Sequence, residues 1–225
     1  MIPLYDTIPH RSVPLVTVGL ILINVLAFFH ELNLGPALEG FLMSYGFVPA
    51  RYLVASDHHW SVADRFVPMF TSMFLHGGWM HLIGNMWILW IFGDNVEDHL
   101  GKGRFLLYYL VCGLAAVYLH YLTGPSSGIP VVGASGAIAG VMGGYLVLFP
   151  RARVVTLVPI FIFLQIVTIP AVVFLALWFF LQLFNGMVAT AASFGGGVAW
   201  WAHVGGFVAG ALLVFLLRSP SPRSY

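Results

Sequence analysis

The chain is poor in charge. Nine lysines and arginines and eight aspartates and glutamates make up 8% of its 225 residues, against about 25% in an average soluble domain. A soluble domain of this length could not cover its surface with so few charges, which excludes an ordinary cytosolic enzyme, a nucleic-acid binder and a disordered chain. Cysteine is nearly missing. Cys112 stands alone, so an intramolecular disulfide and a cysteine-based metal site are both excluded, and its apolar surroundings mark it as a packed thiol. The net charge of +1 points to no charged partner. A cleavage site is lacking too. The first apolar stretch runs into Phe28-Phe29-His30-Glu31 without the small residues that end a removable signal peptide.

What the chain has is apolar length. Sixty per cent of it is hydrophobic and the mean hydropathy is +0.94, room for roughly six membrane spans of about 20 residues. Apolar runs cover Val13 to Phe29, about Trp79 to Val96, Phe105 to Leu122, about Val131 to Pro150, Val154 to Phe184 and Val198 to Leu217. The fifth exceeds one span and is interrupted by Pro159 and Pro170. It reads as an interfacial piece to about Val167 and a helix from about Pro170, where proline suits a first turn. The expected architecture is an all-α membrane protein, a single six-helix bundle with a long outer loop between helices 1 and 2.

Six spans place both termini on one side. Arg11, Lys102, Arg104, Arg151, Arg153, Arg218 and Arg223 fall on one set of segments, and only Arg51 and Arg65 on the other. The positive-inside rule makes the richer side cytoplasmic. Trp60, Trp79, Trp200 and Trp201 fit an aromatic belt at the outer interface.

Polar side chains within apolar spans are costly and face the protein interior or a wet cavity. The main ones are His81 and Asn85 in span two, Ser135 opening span four and His203 in span six. Spans two, four and six run in the same direction, so all four residues fall in the outer half of the bilayer. Gly136, Gly140 and Gly144 in span four, and Ala202, Gly206 and Gly210 in span six, form ladders that let helix backbones approach closely. That approach brings a hydroxyl and an imidazole within reach, the nucleophile and base of acyl transfer. The backbone N–H groups at the start of span four, with Asn85 and His81, supply donors for an oxyanion.

Taken alone, each of these residues has a plain structural use: Ser135 and Asn85 as interhelical hydrogen bonders and His203 as a packed histidine. Their coincidence at one depth favours the chemical use. His76, His81 and His203 also raise a metal reading, which the absence of a His-Glu-x-x-His run argues against; His76 braces the loop before span two instead. Asp94, Glu97 and Asp98, near Lys102 and Arg104, read as a paired inner rim. Gly195-Gly196-Gly197, within 187–197, is a movable cap or a plain turn.

The segments His81-Leu-Ile-Gly-Asn85, Gly133-Ala-Ser135-Gly136 and Ala202-His203-Val-Gly205-Gly206 resemble the signature of rhomboid intramembrane serine proteases. So do Phe74-Leu75-His76-Gly77-Gly78 and Gly93-Asp-Asn-Val-Glu97-Asp-His-Leu-Gly101. The likeness covers roughly residues 10 to 218. It implies a dyad with Ser135 as nucleophile and His203 as base then acid, and an oxyanion hole of Asn85, His81 and the Ser135 amide. It also implies that the chain cuts transmembrane helices of other proteins within the bilayer, without cofactor, metal or nucleic acid. The short six-span form points to a prokaryotic plasma membrane. The sequence departs from the family at Val67-Pro68, where many members have Trp-Arg, and at Ala139, where some have an aromatic ring beneath the histidine. A non-catalytic scaffold that binds membrane proteins is the alternative, but such relatives usually lack the serine or the histidine. A histidine-based metal transporter would need carboxylates along a midplane path, and there are none.

Overall fold

The structure, a computed structural model, describes residues 1–9, 11–54, 61–160, 163–191 and 198–217. His58, His59, Trp60, the three glycines 195–197, Arg218 and Arg223 lie outside the described residues. In chain order the elements are strand β1 (Ile2–Asp6), helices α1 (Leu15–Asn33), α2 (Leu38–Tyr45), α3 (Pro49–Val54), α4 (Val62–Thr71), α5 (Trp79–Leu100), α6 (Lys102–Thr123) and α7 (Ser135–Leu148), strands β2 (Arg153–Ile160) and β3 (Phe163–Pro170), and helices α8 (Ala171–Ala191) and α9 (Trp200–Leu217).

Among the described residues four helices, α1, α6, α8 and α9, are long and apolar enough to cross a membrane, and α7 is a shorter apolar helix. The 22-residue α5 carries Asp94, Glu97 and Asp98 toward its end. Leu22, Ile23 and Leu26 of α1, Phe180 and Phe184 of α8, and Leu212 and Leu216 of α9 all face outward. A helix that is apolar all round belongs in a lipid surround.

The core is built on α7, whose residues Gly136 to Tyr145 are buried without a break among α5, α6 and α9. Glycine makes this possible. A Cβ at Gly206 would stand 1.9 Å from the Gly136 carbonyl oxygen, and one at Gly210 would stand 2.0 Å from that of Gly140. The two backbones therefore touch where any side chain would separate them. The stripe of Gly136, Gly140 and Gly144 on α7 itself receives Ala116, Cys112 and Tyr108 of α6. The Tyr108 hydroxyl donates to the Gly140 carbonyl at 2.6 Å.

The all-α expectation needs correction, because β1, β2 and β3 form an antiparallel sheet in that order. The stretch expected as an interfacial piece is a hairpin, in which Arg153 pairs with Pro170 and Ile160 with Phe163. Its run of Val, Ile and Thr is rich in β-branched residues, which favour the pleated sheet. The N-terminal segment supplies the remaining strand, β1, paired to β2. The Tyr145 hydroxyl of α7 and the Asn95 amide of α5 both donate to the Asp6 carboxylate, the latter at 3.0 Å. Trp87 Nε1 of α5 donates to the Pro3 carbonyl at 2.6 Å. The sheet therefore lies along α5 and leads directly into α8.

The acidic rim has a more specific job than pairing with bases. Glu97 accepts from the backbone amides of Val16 and Thr17 and from the Thr17 hydroxyl, and Asp98 accepts from the Ser12 amide at 3.1 Å. Glu97 thus caps the opening turn of α1, whose N-cap residue Pro14 supplies no side-chain acceptor, and Asp98 holds the segment just before it.

Candidate active site

Ser135 is the first residue of α7, and its position follows from the loop before it. Phe47 and Val131 form a β-bridge, and the Gly133 amide donates to the Ser72 carbonyl at 2.9 Å. These contacts tie the loop to the segment between α1 and α5. Gly133 has φ +127°, a conformation that side-chain-bearing residues rarely adopt. A Cβ there would lie 2.7 Å from Nε2 of His81 and 3.5 Å from Oγ of Ser135. His81 and Ser135 thus border one small space that only glycine leaves open. As the first residue of a helix, Ser135 has a backbone N–H without an intrahelical partner.

His203 stands in the first turn of α9. The backbone contact of α9 with α7 brings its Nε2 to 2.8 Å from Ser135 Oγ. This is hydrogen-bond distance and the separation a base needs from the hydroxyl it activates. His203 is buried, with 9% exposure, so water screens the pair little.

Asn85 is brought to the same end of the bundle, with a partner that the sequence did not disclose. Its Nδ2 lies 3.0 Å from Nε2 of His76. The backbone amide of His76 donates in turn to the Glu31 carboxylate of α1, at 3.1 and 3.2 Å. Burial, helped by neighbouring His81, pushes the His76 imidazole down to about 4. The ring is therefore neutral near pH 7, and its Nε2 lone pair accepts one Asn85 amide hydrogen. The second amide hydrogen is left for another acceptor. The His76 and His81 rings meet edge to face, with centroids 5.1 Å apart. Among the described residues no three His, Cys, Asp or Glu side chains gather to hold a metal ion.

Two residues on α8 were missed. Gln182 Oε1 lies 2.8 Å from His203 Nδ1. Trp178, one turn earlier, lies over the same imidazole with ring centroids 5.9 Å apart and planes tilted by 35°. Both supports of the ring therefore come from α8. Gln182 had a signal, since it is a polar residue inside an apolar span. Trp178 had none, being one aromatic among many.

The comparisons with known proteins give the family. Residues 63–220 match the Rhomboid domain, well over half the chain, and the chain belongs to the rhomboid family. It is a multi-pass membrane protein. Over 134 residues it is 34% identical to rhomboid protease GluP of Bacillus subtilis (strain 168), covering 59% of this chain and 24% of that protein. It is 32% identical over 102 residues to the mitochondrial presenilin-associated rhomboid-like protein A of Danio rerio, covering 44% of this chain and 27% of that one. The human mitochondrial presenilin-associated rhomboid-like protein matches at 32% over 99 residues, or 43% and 26% of the two chains. The matched stretch spans about a quarter of the length of these relatives.

Proposed function

We propose that this chain is an intramembrane serine endopeptidase that hydrolyses peptide bonds in transmembrane segments of other proteins. One observation carries the reading: Ser135 Oγ and His203 Nε2 stand 2.8 Å apart at the start of a buried helix. In the proposed reaction His203 takes the Ser135 proton as Oγ attacks the peptide carbonyl, then gives it to the departing amine nitrogen. Water completes the cycle by releasing the acyl group from Ser135, with His203 again as base. The Ser135 amide, the free hydrogen of Asn85 and His81 are the donors to the oxyanion. No third acid takes part.

In this reading α1, α5, α6, α7, α8 and α9 are six crossings of one domain. The 14 residues of α7 reach about 21 Å at 1.5 Å each, less than the roughly 30 Å of hydrocarbon. That shortfall recesses Ser135 below one membrane surface while leaving it open to water from that side. The distribution of basic residues supports cytoplasmic termini and a site open to the opposite face. The reading places the protein in a prokaryotic plasma membrane. Its partners are the bilayer and helical membrane substrates, and its machinery uses neither nucleic acid nor cofactor.

The test is labelling of the detergent-solubilised protein by a fluorophosphonate, followed by cleavage of a reporter transmembrane segment. Wild type is expected to label and to cut, and Ser135→Ala and His203→Ala to do neither while keeping the wild-type thermal transition. Equal labelling and cutting by Ser135→Ala would sink the proposal. A folded wild type that does neither would favour the scaffold.

A further inference from the structure

We propose that Gln182 is the positioning residue of His203, holding the imidazole in the one tautomer that can serve as base toward Ser135. The proposal rests on the serine-protease reading above and adds a third member to its hydrogen-bonded chain. To take the Ser135 proton, His203 Nε2 must carry the lone pair. In a neutral ring the proton then sits on Nδ1. The atom 2.8 Å from Nδ1 is the Gln182 carbonyl oxygen, which can only accept. It stabilises the Nδ1–H form, since the other tautomer would set two lone pairs against each other.

The surroundings agree. Gln182 is buried, with 7% exposure, on a helix whose adjacent residues Leu181 and Leu183 are apolar. An amide in such a place is costly unless bonded, and the His203 ring satisfies its oxygen. The titratable groups that act on His203 are two further histidines, His81 and His120. A carboxylate in place of Gln182 would bring a buried charge into the span. The amide orients the ring without that cost, and its dipole still favours the imidazolium that forms as Nε2 takes the proton. Trp178, one turn earlier on the same face of α8, covers the ring. The two α8 residues together hold the ring from one helix. The basicity of His203 toward Ser135 therefore depends on α8 being seated against α9.

The experiment compares full-length wild type, Gln182→Leu and Gln182→Glu in detergent. It reads the second-order rate of fluorophosphonate labelling across pH, with thermal unfolding as control. Gln182→Leu is expected to label about 10- to 100-fold more slowly than wild type at an unchanged unfolding temperature. Gln182→Glu keeps the acceptor and is expected to restore the rate to within a few-fold. It is also expected to move the acid limb of the pH–rate profile upward, because a carboxylate stabilises the imidazolium. Wild-type rate and profile in Gln182→Leu, with Ser135→Ala unlabelled, would overturn the role of Gln182 and leave the protease reading intact. If the leucine variant fails to fold, the glutamate variant decides: an unmoved acid limb overturns the proposal. Absence of Ser135-dependent labelling in wild type removes the parent reading, and the proposal with it.

Discussion

The Glu97 carboxylate receives both the backbone amide and the hydroxyl of Thr17, at 2.7 and 2.8 Å. With the Val16 amide at 3.0 Å, it satisfies the opening turn of α1 from another helix, and its charge complements the positive end of the α1 dipole. Both residues are buried, so neither can fall back on water. Glu97→Ala strands three donors and is expected to lower the unfolding free energy by about 3 kcal/mol or more. Glu97→Gln, which keeps one acceptor oxygen, should cost clearly less. Titration of folded protein with sodium dodecyl sulfate in mixed micelles measures both, and an alanine variant as stable as wild type would show that the cap contributes nothing.

The contact of Gly206 with the Gly136 carbonyl ties stability to chemistry. A methyl at position 206 would meet backbone at 1.9 Å, which no side-chain rotation relieves. Gly206→Ala must push α9 off α7, at a cost of about 1–3 kcal/mol for overpacking. Gly136 adjoins Ser135, and Gly206 lies one turn after His203, so the same shift lengthens the hydrogen bond of the dyad. Both thermal stability and fluorophosphonate labelling are expected to fall in this variant. Gly19→Ala, where nothing lies within 4 Å, is the control and should leave both unchanged.

The site was legible from the sequence because polar groups are rare in apolar spans, so Ser135, Asn85, His81 and His203 stood out. Gln182 obeys the same rule. Its meaning, however, depends on which face of α8 meets α9, which the fifth apolar run does not reveal, although Pro170 marks the start of that helix within a residue. The sheet was hidden for a different reason. An apolar run without helical or alternating period is ambiguous between strand and buried helix. The partner of Val154–Leu157 is the N-terminal strand, on the far side of seven helices in sequence. The α7 glycine stripe was correctly taken as a close-packing device, yet Gly136, Gly140 and Gly144 receive mainly α6 side chains, while the close α7–α9 approach rests on Gly206 and Gly210 of α9 and on Gly143 of α7, which the stripe did not include. Spacing reveals that a face is small without naming what fills it.

Asp6 anchors that sheet to the bundle. It accepts from the Tyr145 hydroxyl and from Asn95 Nδ2, both on buried residues. Asp6→Ala leaves two donors without their acceptor and is expected to destabilise the fold by about 1–3 kcal/mol. Tyr145→Phe removes donor and hydroxyl together and should cost less. The double variant should lose less than the sum of the two, because the singles share one bond. Strict additivity in the micelle titration would disconnect Asp6 from Tyr145.

His76 makes the structure sensitive to acid. Its folded value, about 4, lies below the ordinary histidine value of about 6.5, because burial penalises the charged ring. Above about pH 6.5 both folded and unfolded chains carry it neutral, and it contributes no slope. As the pH falls from there toward 4, the unfolded chain takes up a proton that the folded one refuses, so stability drops. The loss levels off once the folded ring also protonates. Between about pH 7.5 and 5 the loss from this one group amounts to about 2 kcal/mol. Protonation also turns Nε2 from acceptor to donor, which breaks its bond to Asn85. His76→Gln, which does not titrate, should lack this component. The stability difference between wild type and variant is therefore expected to change by about 2 kcal/mol across that interval, and a pH-independent difference would mean that the His76 ring is not held neutral by the fold.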